Sequence, residues 1–379
     1  MKAGFKYLVN PLIGCNWDVL KEIENRFVVD PAYRAKYNRS KALCRVLHEM
    51  ARFDRIRYRS MKDQASLEYP PVFIIGHWRS GTSFLHTLLC QIYPAAYTTT
   101  YQSAFPNNLF AFQGLVKFFM RVFMPGKRPT DAMRMHPDLP QEEELALGQE
   151  RFFSFYYWFY FPRQAESILD EFLYLNDPKS EKSMEFREHY TEYIHRSKLN
   201  TGGEVFISKN PANTFRIEIL RDMFPDARYI YLRRDPYETL ESSRVFFRSL
   251  IKGISLQDIE EHKVDKFVLE NYRRMINIYL EKKELIPSGQ LIELSYEDLI
   301  KNPEQALSEI TGRLDIGVKA DLTKVQDYLA ASKDFPLKKY QFNSDFLNDV
   351  NNTLGDLIVR QGYRLRKTNL DEQLKTVTF

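Results

Sequence analysis

The stretch Val72–Leu89, with the sequence VFIIGHWRSGTSFLHTLL, combines a short apolar run, a glycine-bounded turn and a segment with helical spacing. Its first four residues are β-branched or aromatic and follow two prolines, which predicts a buried strand rather than a helix. Apolar residues then recur at helical spacing, so the segment after the turn is expected to pack against a sheet. The sequence therefore predicts a strand, a tight turn and a helix in succession.

The turn Gly76–Ser83 matches the phosphate-loop spacing of glycine, four residues, glycine and two positions ending in Ser or Thr. Such a loop directs backbone N–H groups at an anion, and the helix N-terminus adds its positive end. A nucleoside triphosphatase has lysine where this chain has Thr82, whereas here the cation is Arg79, inside the loop. The loop alone also fits a turn without a ligand. If it binds, an anion other than a hydrolysed triphosphate is expected, held by Arg79, Ser80, Gly81, Thr82 and Ser83.

Composition narrows the function classes. The chain has 379 residues, 54 basic against 50 acidic, and a net charge of +4 without a long basic tract, so charge does not indicate a nucleic-acid partner. The three cysteines lack CxxC or metal-ligand spacing, which indicates a reducing compartment and argues against a zinc site. Asn10 and Pro11 interrupt the apolar N-terminus, so secretion is not expected and a cytoplasmic location is predicted.

Further strands and long helical segments define the predicted architecture. Residues 1–69 are predicted to be N-terminal covering helices with a stripe of Leu43, Leu47 and Met50, and residues 95–200 a helical, aromatic-rich insertion. Strands are predicted at Val205–Ser208, Arg228–Leu232 and Leu291–Leu294, a long helix over 264–279, and a helical tail at 338–366. No linker divides the chain, so we predict one domain over residues 1–379: a P-loop-like, three-layer α/β/α fold around a central parallel sheet.

Two apolar segments mark the insertion. Leu109–Pro125 carries Lys117 and Arg121, and Arg151–Pro162 contains nine aromatic residues. Both are too short or too polar to span a bilayer. For most of these aromatic residues the preferred interpretation is a core between insertion and sheet; an apolar ligand pocket comes second, and an interfacial amphipathic helix at Leu109–Met124 third.

An acidic cluster lies between these two segments. Asp138 before Pro140 predicts a helix cap, which would place Glu142, Glu143 and Glu144 in the first helical turn. First-turn glutamates are ordinary partners of the helix dipole. Three consecutive carboxylates exceed that need, so one of them is a candidate base.

Basic residues follow two of the predicted strands. Lys209 stands at the carboxyl end of one strand, the edge where open α/β sheets place their ligands. Arg233–Pro236, with the sequence RRDP, ends the next, and Glu238 completes a predicted capping box. Two arginines beside a helix N-terminus favour a phosphate site.

Taken together, these motifs resemble the sulfotransferase family that uses 3'-phosphoadenosine-5'-phosphosulfate (PAPS), above all its bacterial branch. PPVFIIGHWRSGTS resembles the family's 5'-phosphosulfate loop, and RYIYLRRDPYETLESS resembles its 3'-phosphate motif. ISKNP, RPTDAMRMHPDLPQEEELAL and SYEDLIKNPEQAL resemble its strand-end lysine segment, a stretch with paired acidic residues, and a later strand and helix. The likeness extends over Pro70–Tyr363.

The resemblance implies roles for individual residues. Arg234 and Ser242 would hold the 3'-phosphate, and Lys209 would contact the transferring sulfuryl group. The chain has Arg79 where the animal cytosolic enzymes have lysine, and it lacks the histidine base of those enzymes. The catalytic set is therefore predicted as Arg79, Lys209 and a carboxylate base, with the base candidates ranked Glu142, Glu144, Glu143 and, outside the cluster, His136.

The predicted reaction is in-line, metal-independent transfer of a sulfuryl group from PAPS to an alcohol, leaving 3',5'-adenosine diphosphate. The aromatic insertion favours a small apolar acceptor, such as a sterol or another lipid, over a sugar polymer. Two alternatives stay open: a P-loop-type phosphotransferase, and a non-catalytic, membrane-peripheral nucleotide-binding protein. Membrane contact without an integral span is compatible with the sequence, which does not indicate an oligomeric state.

Overall fold

A computed structural model describes residues 10–127, 134–173, 175, 177, 179–331 and 340–367. Five parallel strands form one sheet in the order β2-β3-β1-β4-β5. They are β1 (Val72–Ile75), β2 (Ala95–Ala96), β3 (Val205–Lys209), β4 (Arg228–Arg233) and β5 (Leu291–Ser295). The predicted strands are confirmed to within one residue, and β1 lies at the centre because all four of its residues are apolar and buried.

The helices of the first half are α1 (Trp17–Arg26), α2 (Arg34–Arg59), α3 (Thr82–Ile92), α4 (Thr100–Ala104), α5 (Gln113–Phe123), α6 (Glu144–Glu150), α7 (Tyr157–Tyr160), α8 (Ala165–Leu173) and α9 (Glu181–Thr201). Those of the second half are α10 (Ile217–Met223), α11 (Pro236–Ile254), α12 (Glu261–Lys282), α13 (Tyr296–Lys301), α14 (Pro303–Arg313), α15 (Lys324–Ala331) and α16 (Ser344–Arg360). The predicted helical insertion therefore comprises α4 to α9, and the predicted tail helix is α16; residues 338 and 339 of that prediction lie outside the described residues.

Helices cover both faces of the sheet because successive strand side chains point to opposite sides. Phe73 and Ile75 of β1 join one core, which includes the aromatic residues of the insertion and of α11 and α12. Val72 and Ile74 join a second core with α3 and α14. The three-layer α/β/α prediction is confirmed.

Two local features differ from the predictions. The two-residue strand β2 was missed, since so short a segment has no periodicity; it pairs with β3 where the backbone of Gly203 leaves no room for a Cβ beside Ala95. The predicted stripe of Leu43, Leu47 and Met50 on α2 is wrong in part, because Met50 packs against a small core but Leu43 does not. Leu43 is 46% exposed, whereas Cys44 and Ala51 are buried, because small side chains let α2 approach the core closely.

Among the residues that the structure describes, no helix is long and apolar enough to cross a membrane.

Candidate functional site

The loop between β1 and α3 follows a backbone path that requires glycine. Gly76 and Gly81 have φ angles of 141° and 97°. A Cβ at Gly76 would lie 2.5 Å from the carbonyl oxygen of Leu232, and one at Gly81 would lie 2.2 Å from the ring of Tyr296. Arg79 also adopts a left-handed conformation, with φ of 70°, which costs about 1 kcal/mol or more for a residue with a Cβ. The loop is therefore held tightly against β4 and the start of α13.

This conformation suits an anion at the start of α3. Thr82 and Ser83 are the first residues of the helix, so their backbone N–H groups precede the first intrahelical bonds. Ser80 is buried, and its hydroxyl donates to the carbonyl oxygen of His77 at 2.8 Å. On the sheet side, the Gly76 N–H donates to Thr214 Oγ1 at 2.9 Å. The polar groups of Gly76 and Ser80 are therefore hydrogen-bonded within the protein, whereas the N–H groups at the start of α3 remain available for an anion.

Contacts of two arginines join this loop to the turn after β4. Arg79 Nε donates to Ser242 Oγ at 3.0 Å, and Arg234 donates to the Arg79 carbonyl oxygen at 3.0 Å. Arg234 also pairs with Glu238 at 2.8 Å and lies over the ring of Tyr296, 4.4 Å from its centroid. The structure therefore brings Arg79, Arg234 and Ser242, predicted from separate motifs, into one cluster.

Of the two capping contacts predicted after β4, the one from Asp235 is present and the one from Glu238 is absent. Asp235 Oδ1 accepts from the Glu238 N–H at 3.1 Å, which confirms the cap of α11. Glu238 does not complete the box, because its carboxylate pairs with Arg234, and the Asp235 N–H donates instead to Glu297 at 3.0 Å. Arg233 turns away from the loop, and its guanidinium donates to the carbonyl oxygen of Gln361 at 3.2 Å.

Glu142 and Lys209 form the second part of the site. Lys209, at the end of β3, is 2% exposed and pairs with Glu142 Oε1 at 2.5 Å, while the Glu142 side chain is 18% exposed. The other carboxylate oxygen of Glu142 accepts from the Tyr156 hydroxyl, which itself accepts from Trp78 Nε1 at 3.0 Å. Trp78 belongs to the loop, so this chain of contacts connects the loop to the carboxylate.

The neighbouring glutamates are buried in separate networks. Glu143 Oε1 accepts from Tyr190, Ser208 and Asn213, and burial raises the pKa of this carboxyl group. Glu144 is 0% exposed and pairs with Arg216, also 0% exposed, at 2.7 Å.

Further donors occupy both oxygens of Glu144. Oε1 accepts from the Phe155 N–H at 2.9 Å and Oε2 from Asn210 at 2.8 Å. Arg216 is held between the rings of Phe172 and Phe186 at 4.3 and 4.6 Å. Glu144 is saturated with donors and sealed from solvent, so this geometry favours Glu142, the first-ranked candidate base, and gives no support to Glu144, the second.

The predicted helix over the acidic cluster is wrong at its start. Pro140 forms an antiparallel bridge with Thr99, so the chain is extended there, and α6 begins only at Glu144. Asp138 does not cap the helix; its carboxylate pairs with Lys117 at 2.6 Å. His136 is 42% exposed and lies 3.5 Å from Asp138, apart from the Glu142–Lys209 pair. Residues 128–133 of this stretch lie outside the described residues.

The aromatic segment before α8 is largely core, as the preferred interpretation predicted. Trp158 is 1% exposed and packs against Phe247 and Phe267, each with a centroid distance of 4.9 Å. Trp158 therefore does not face an acceptor. Tyr156 differs from its neighbours because its hydroxyl reaches Glu142.

Two buried histidines flank the site. Burial lowers the pKa of His77, in the loop, to about 4, and that of His86, in α3, to about 3, with the nearby Lys209 charge adding to the second shift. Both imidazoles are therefore neutral at physiological pH.

Several residues of the site were not predicted. Tyr156 was one of nine aromatic residues in a run, and no local pattern distinguishes it. Trp78 and Thr214 act through contacts across the fold. The position of Ser208 near the carboxyl end of β3, with Asn213 in the turn that follows, was the one signal that could have indicated the Glu143 network. In the part of the chain that the structure describes, no group of His, Cys, Asp or Glu side chains has the arrangement of a metal site.

With this geometry in view, the comparisons with known proteins identify the class. The sequence profile of the sulfotransferase family matches residues 70–320. The chain therefore belongs to the sulfotransferase family and is a sulfotransferase, as its motifs predicted.

Individual relatives of this chain are also sulfotransferases. Omega-hydroxy-beta-dihydromenaquinone-9 sulfotransferase Stf3 of Mycobacterium bovis is 30% identical over 299 residues, which cover 78% of this chain and 75% of that protein. The Mycobacterium tuberculosis protein of the same name gives the same values.

Among solved structures, sulfotransferase STF9 from Mycobacterium avium has a TM-score of 0.69 at 16% identity, covering 92% of this chain and 90% of that one. Sulfotransferase STF1 from Mycobacterium tuberculosis has a TM-score of 0.59 at 16% identity, covering 84% and 87%. These two likenesses support the fold alone.

Proposed function

We propose that this sulfotransferase moves a sulfuryl group from PAPS to the hydroxyl of an apolar, lipid-like alcohol, without a metal ion. The observation that carries the proposal is the contact of Arg79 with both Ser242 and Arg234, which unites the loop and the RRDP turn. In the family, these two motifs hold the 5'-phosphosulfate and the 3'-phosphate. Their junction in one cluster fits a nucleotide with phosphates at both positions.

The binding roles follow from the donors available. The backbone of Gly81, Thr82 and Ser83 and the hydroxyl groups of the loop suit the 5' end, at the positive end of α3. Arg234 and Ser242 suit the 3'-phosphate, and the nearby ring of Tyr296 keeps the Arg234 guanidinium in place.

The proposed chemistry is a single in-line displacement. The acceptor oxygen forms a bond to sulfur while the bond between sulfur and the bridging oxygen of the nucleotide breaks, and the acceptor proton passes to Glu142. Negative charge that develops on the leaving oxygen is opposed by Arg79, Lys209 and the loop N–H groups. The pair between Lys209 and Glu142 supports this division of roles, because it places cation and base side by side.

A lipid-like acceptor is supported by the relative and by the surface of the insertion. The curated relative is named as a sulfotransferase of omega-hydroxy-beta-dihydromenaquinone-9, a lipid alcohol, and it aligns with 78% of this chain. Although Trp158 is core, α5 in the same insertion exposes several phenylalanine side chains. A polyanionic sugar chain would require a basic groove instead.

Nucleotide binding is the first test. Thermal unfolding is measured with 3',5'-adenosine diphosphate, AMP and ATP with magnesium. All three nucleotides are used at one concentration, a hundred times the dissociation constant of 3',5'-adenosine diphosphate. That nucleotide should then add about 2.7 kcal/mol of stability, and AMP and ATP should add much less. Equal stabilisation by AMP would contradict a site for the 3'-phosphate.

Turnover is the second test. Transfer from PAPS is followed by mass spectrometry with long-chain primary alcohols, sterols and simple sugars as acceptors, in the presence and absence of a chelator. We expect the apolar alcohols to react fastest and the chelator to have no effect. A sugar that outpaces every apolar alcohol, or activity abolished by chelation, would refute the corresponding part of the proposal.

A further inference from the structure

Helix α5 (Gln113–Phe123) presents a continuous apolar face to solvent. The face, called here the α5 face, consists of Leu115, Phe118, Phe119, Val122 and Phe123, which are between 50% and 58% exposed. At about 100° per residue, these positions lie within roughly 140° of the helix circumference. Monomeric soluble proteins seldom expose so many large apolar side chains together, and such patches mark interaction sites.

The inner side of α5 is firmly attached to the protein. Val116 is 9% exposed and packs, with Met120, in a small core beside α4. Lys117 pairs with Asp138 at 2.6 Å. Ahead of the helix, the buried Asp54 carboxylate accepts from the Ala111 N–H at 2.8 Å. The α5 face is therefore held in a fixed orientation.

The charges around the α5 face are positive. No acidic residue occurs anywhere from Tyr69 to Thr130. Beyond the end of the helix, Lys127 and Arg134 are exposed and joined by a backbone bridge. Among the described residues on this side, the Asp138 carboxylate is neutralised by Lys117 and by Arg121 at 3.4 Å. Asp131, between Lys127 and Arg134 in the sequence, lies outside the described residues.

Helix α2 extends the surface beyond the start of α5. Phe53 is 57% exposed, and its ring meets Phe112 edge-on with a centroid distance of 5.7 Å. The same end of α2 carries exposed arginines at positions 52, 55, 57 and 59. Aromatic and aliphatic side chains surrounded by Lys and Arg are the composition of helices that lie in a lipid interface.

We propose that the α5 face docks the enzyme on the surface of a membrane that contains anionic lipids. The aromatic side chains would enter the region between headgroups and acyl chains, and the basic groups would contact lipid phosphates. The choice of a membrane over a protein partner rests in part on the proposed lipid acceptor. Asp138, which pairs with Lys117 on α5, lies four residues before Glu142 in the chain.

Vesicle flotation of the full chain tests this proposal. The vesicles are made of phosphatidylcholine alone or mixed with phosphatidylglycerol. Val122→Glu introduces a charge in the α5 face, and Val359→Glu is the matched control, since Val359 is 59% exposed on α16 against 52% for Val122. We expect the unchanged chain and Val359→Glu to float with the mixed vesicles and Val122→Glu to remain unbound. Equal flotation of both variants would overturn the assignment.

A charge variant separates the electrostatic contribution. Lys127→Gln should bind the mixed vesicles several-fold more weakly at low salt and lose this difference at high salt, because screening removes the attraction to lipid phosphates. If the unchanged chain floats equally with both vesicle types, the anionic part of the proposal is wrong.

Two further measurements distinguish other outcomes. Sedimentation velocity reports self-association: a dimer that Val122→Glu dissociates, without vesicle binding by the unchanged chain, would assign the α5 face to a second copy instead. Binding of 3',5'-adenosine diphosphate should be the same in Val122→Glu and the unchanged chain. The docking proposal and the proposed transfer reaction can therefore fail independently.

Discussion

The Glu144→Gln variant should have a much lower free energy of unfolding than the unchanged chain. It should still retain the proposed base, Glu142. Glu144 and Arg216 are both 0% exposed, and the carboxylate accepts from two other donors. A glutamine keeps the shape but removes the charge that compensates the buried guanidinium. Its amide nitrogen would also face donors, so at least one hydrogen bond is lost whichever way the amide points.

The size of the effect follows from this burial. Breaking a buried ion pair by removing one partner costs about 3–5 kcal/mol, because the other charge stays in a medium of low polarity. Total stabilities of domains are about 5–15 kcal/mol, so the variant would lose a large share of its stability. Glu142→Gln should cost less, because Glu142 is 18% exposed and the amide oxygen can still accept from Lys209.

The two variants are compared in parallel. Urea unfolding measures stability, and single-turnover transfer from PAPS at low temperature, where both variants stay folded, measures chemistry. Glu142→Gln should lose about two to four orders of magnitude in rate, as expected for removal of a general base. A Glu144→Gln variant that unfolds at the same urea concentration as the unchanged chain but no longer turns over, beside an active Glu142→Gln, would refute the assignment.

Three more predictions concern the site and its surroundings. Arg234→Ala should weaken 3',5'-adenosine diphosphate much more than AMP in calorimetric titrations, whereas the matched Arg233→Ala should change neither; equal losses for both nucleotides would count against a 3'-phosphate contact. Tyr156→Phe removes a donor to Glu142 and should lower kcat about tenfold or more at unchanged nucleotide affinity; an unchanged kcat would exclude a positioning role. The His77 pKa is lowered from 6.5 in the unfolded chain to about 4 in the folded chain. Between these two pH values the unfolded chain binds a proton that the folded chain does not, so the free energy of unfolding decreases by on the order of 3 kcal/mol as the pH falls from 6.5 to 4. The pH dependence of urea midpoints should be shallower in His77→Asn, and an identical slope would contradict this account.

The sequence predicted those parts of the fold that depend on local patterns. The four strands that the sequence predicts are rich in β-branched, aromatic and other apolar residues, so their positions could be predicted to within one residue. The loop was recognised for the same reason, because Gly76 and Gly81 are required by its backbone conformation.

The remaining errors arise from contacts between distant segments. The start of α6 depends on the bridge between Thr99 and Pro140, which no local helix signal reveals. The different environments of Glu142 and Glu144 depend on Tyr156 and on Arg216, which is 72 residues from Glu144 along the chain. Three adjacent glutamates look alike in sequence, and only these partners distinguish the partly exposed carboxylate of Glu142 from the buried ion pair of Glu144.

Tyr296 gives the two ends of the proposed nucleotide site a common support. Its ring fills the space that a side chain at Gly81 would need, and the guanidinium of Arg234 rests on the same ring. Tyr296 begins α13 directly after β5, which is the outermost strand on its side of the sheet. A displacement at this edge would shift the proposed binding groups for both phosphates together, so we expect affinity for the whole nucleotide to depend on the stability of a peripheral strand.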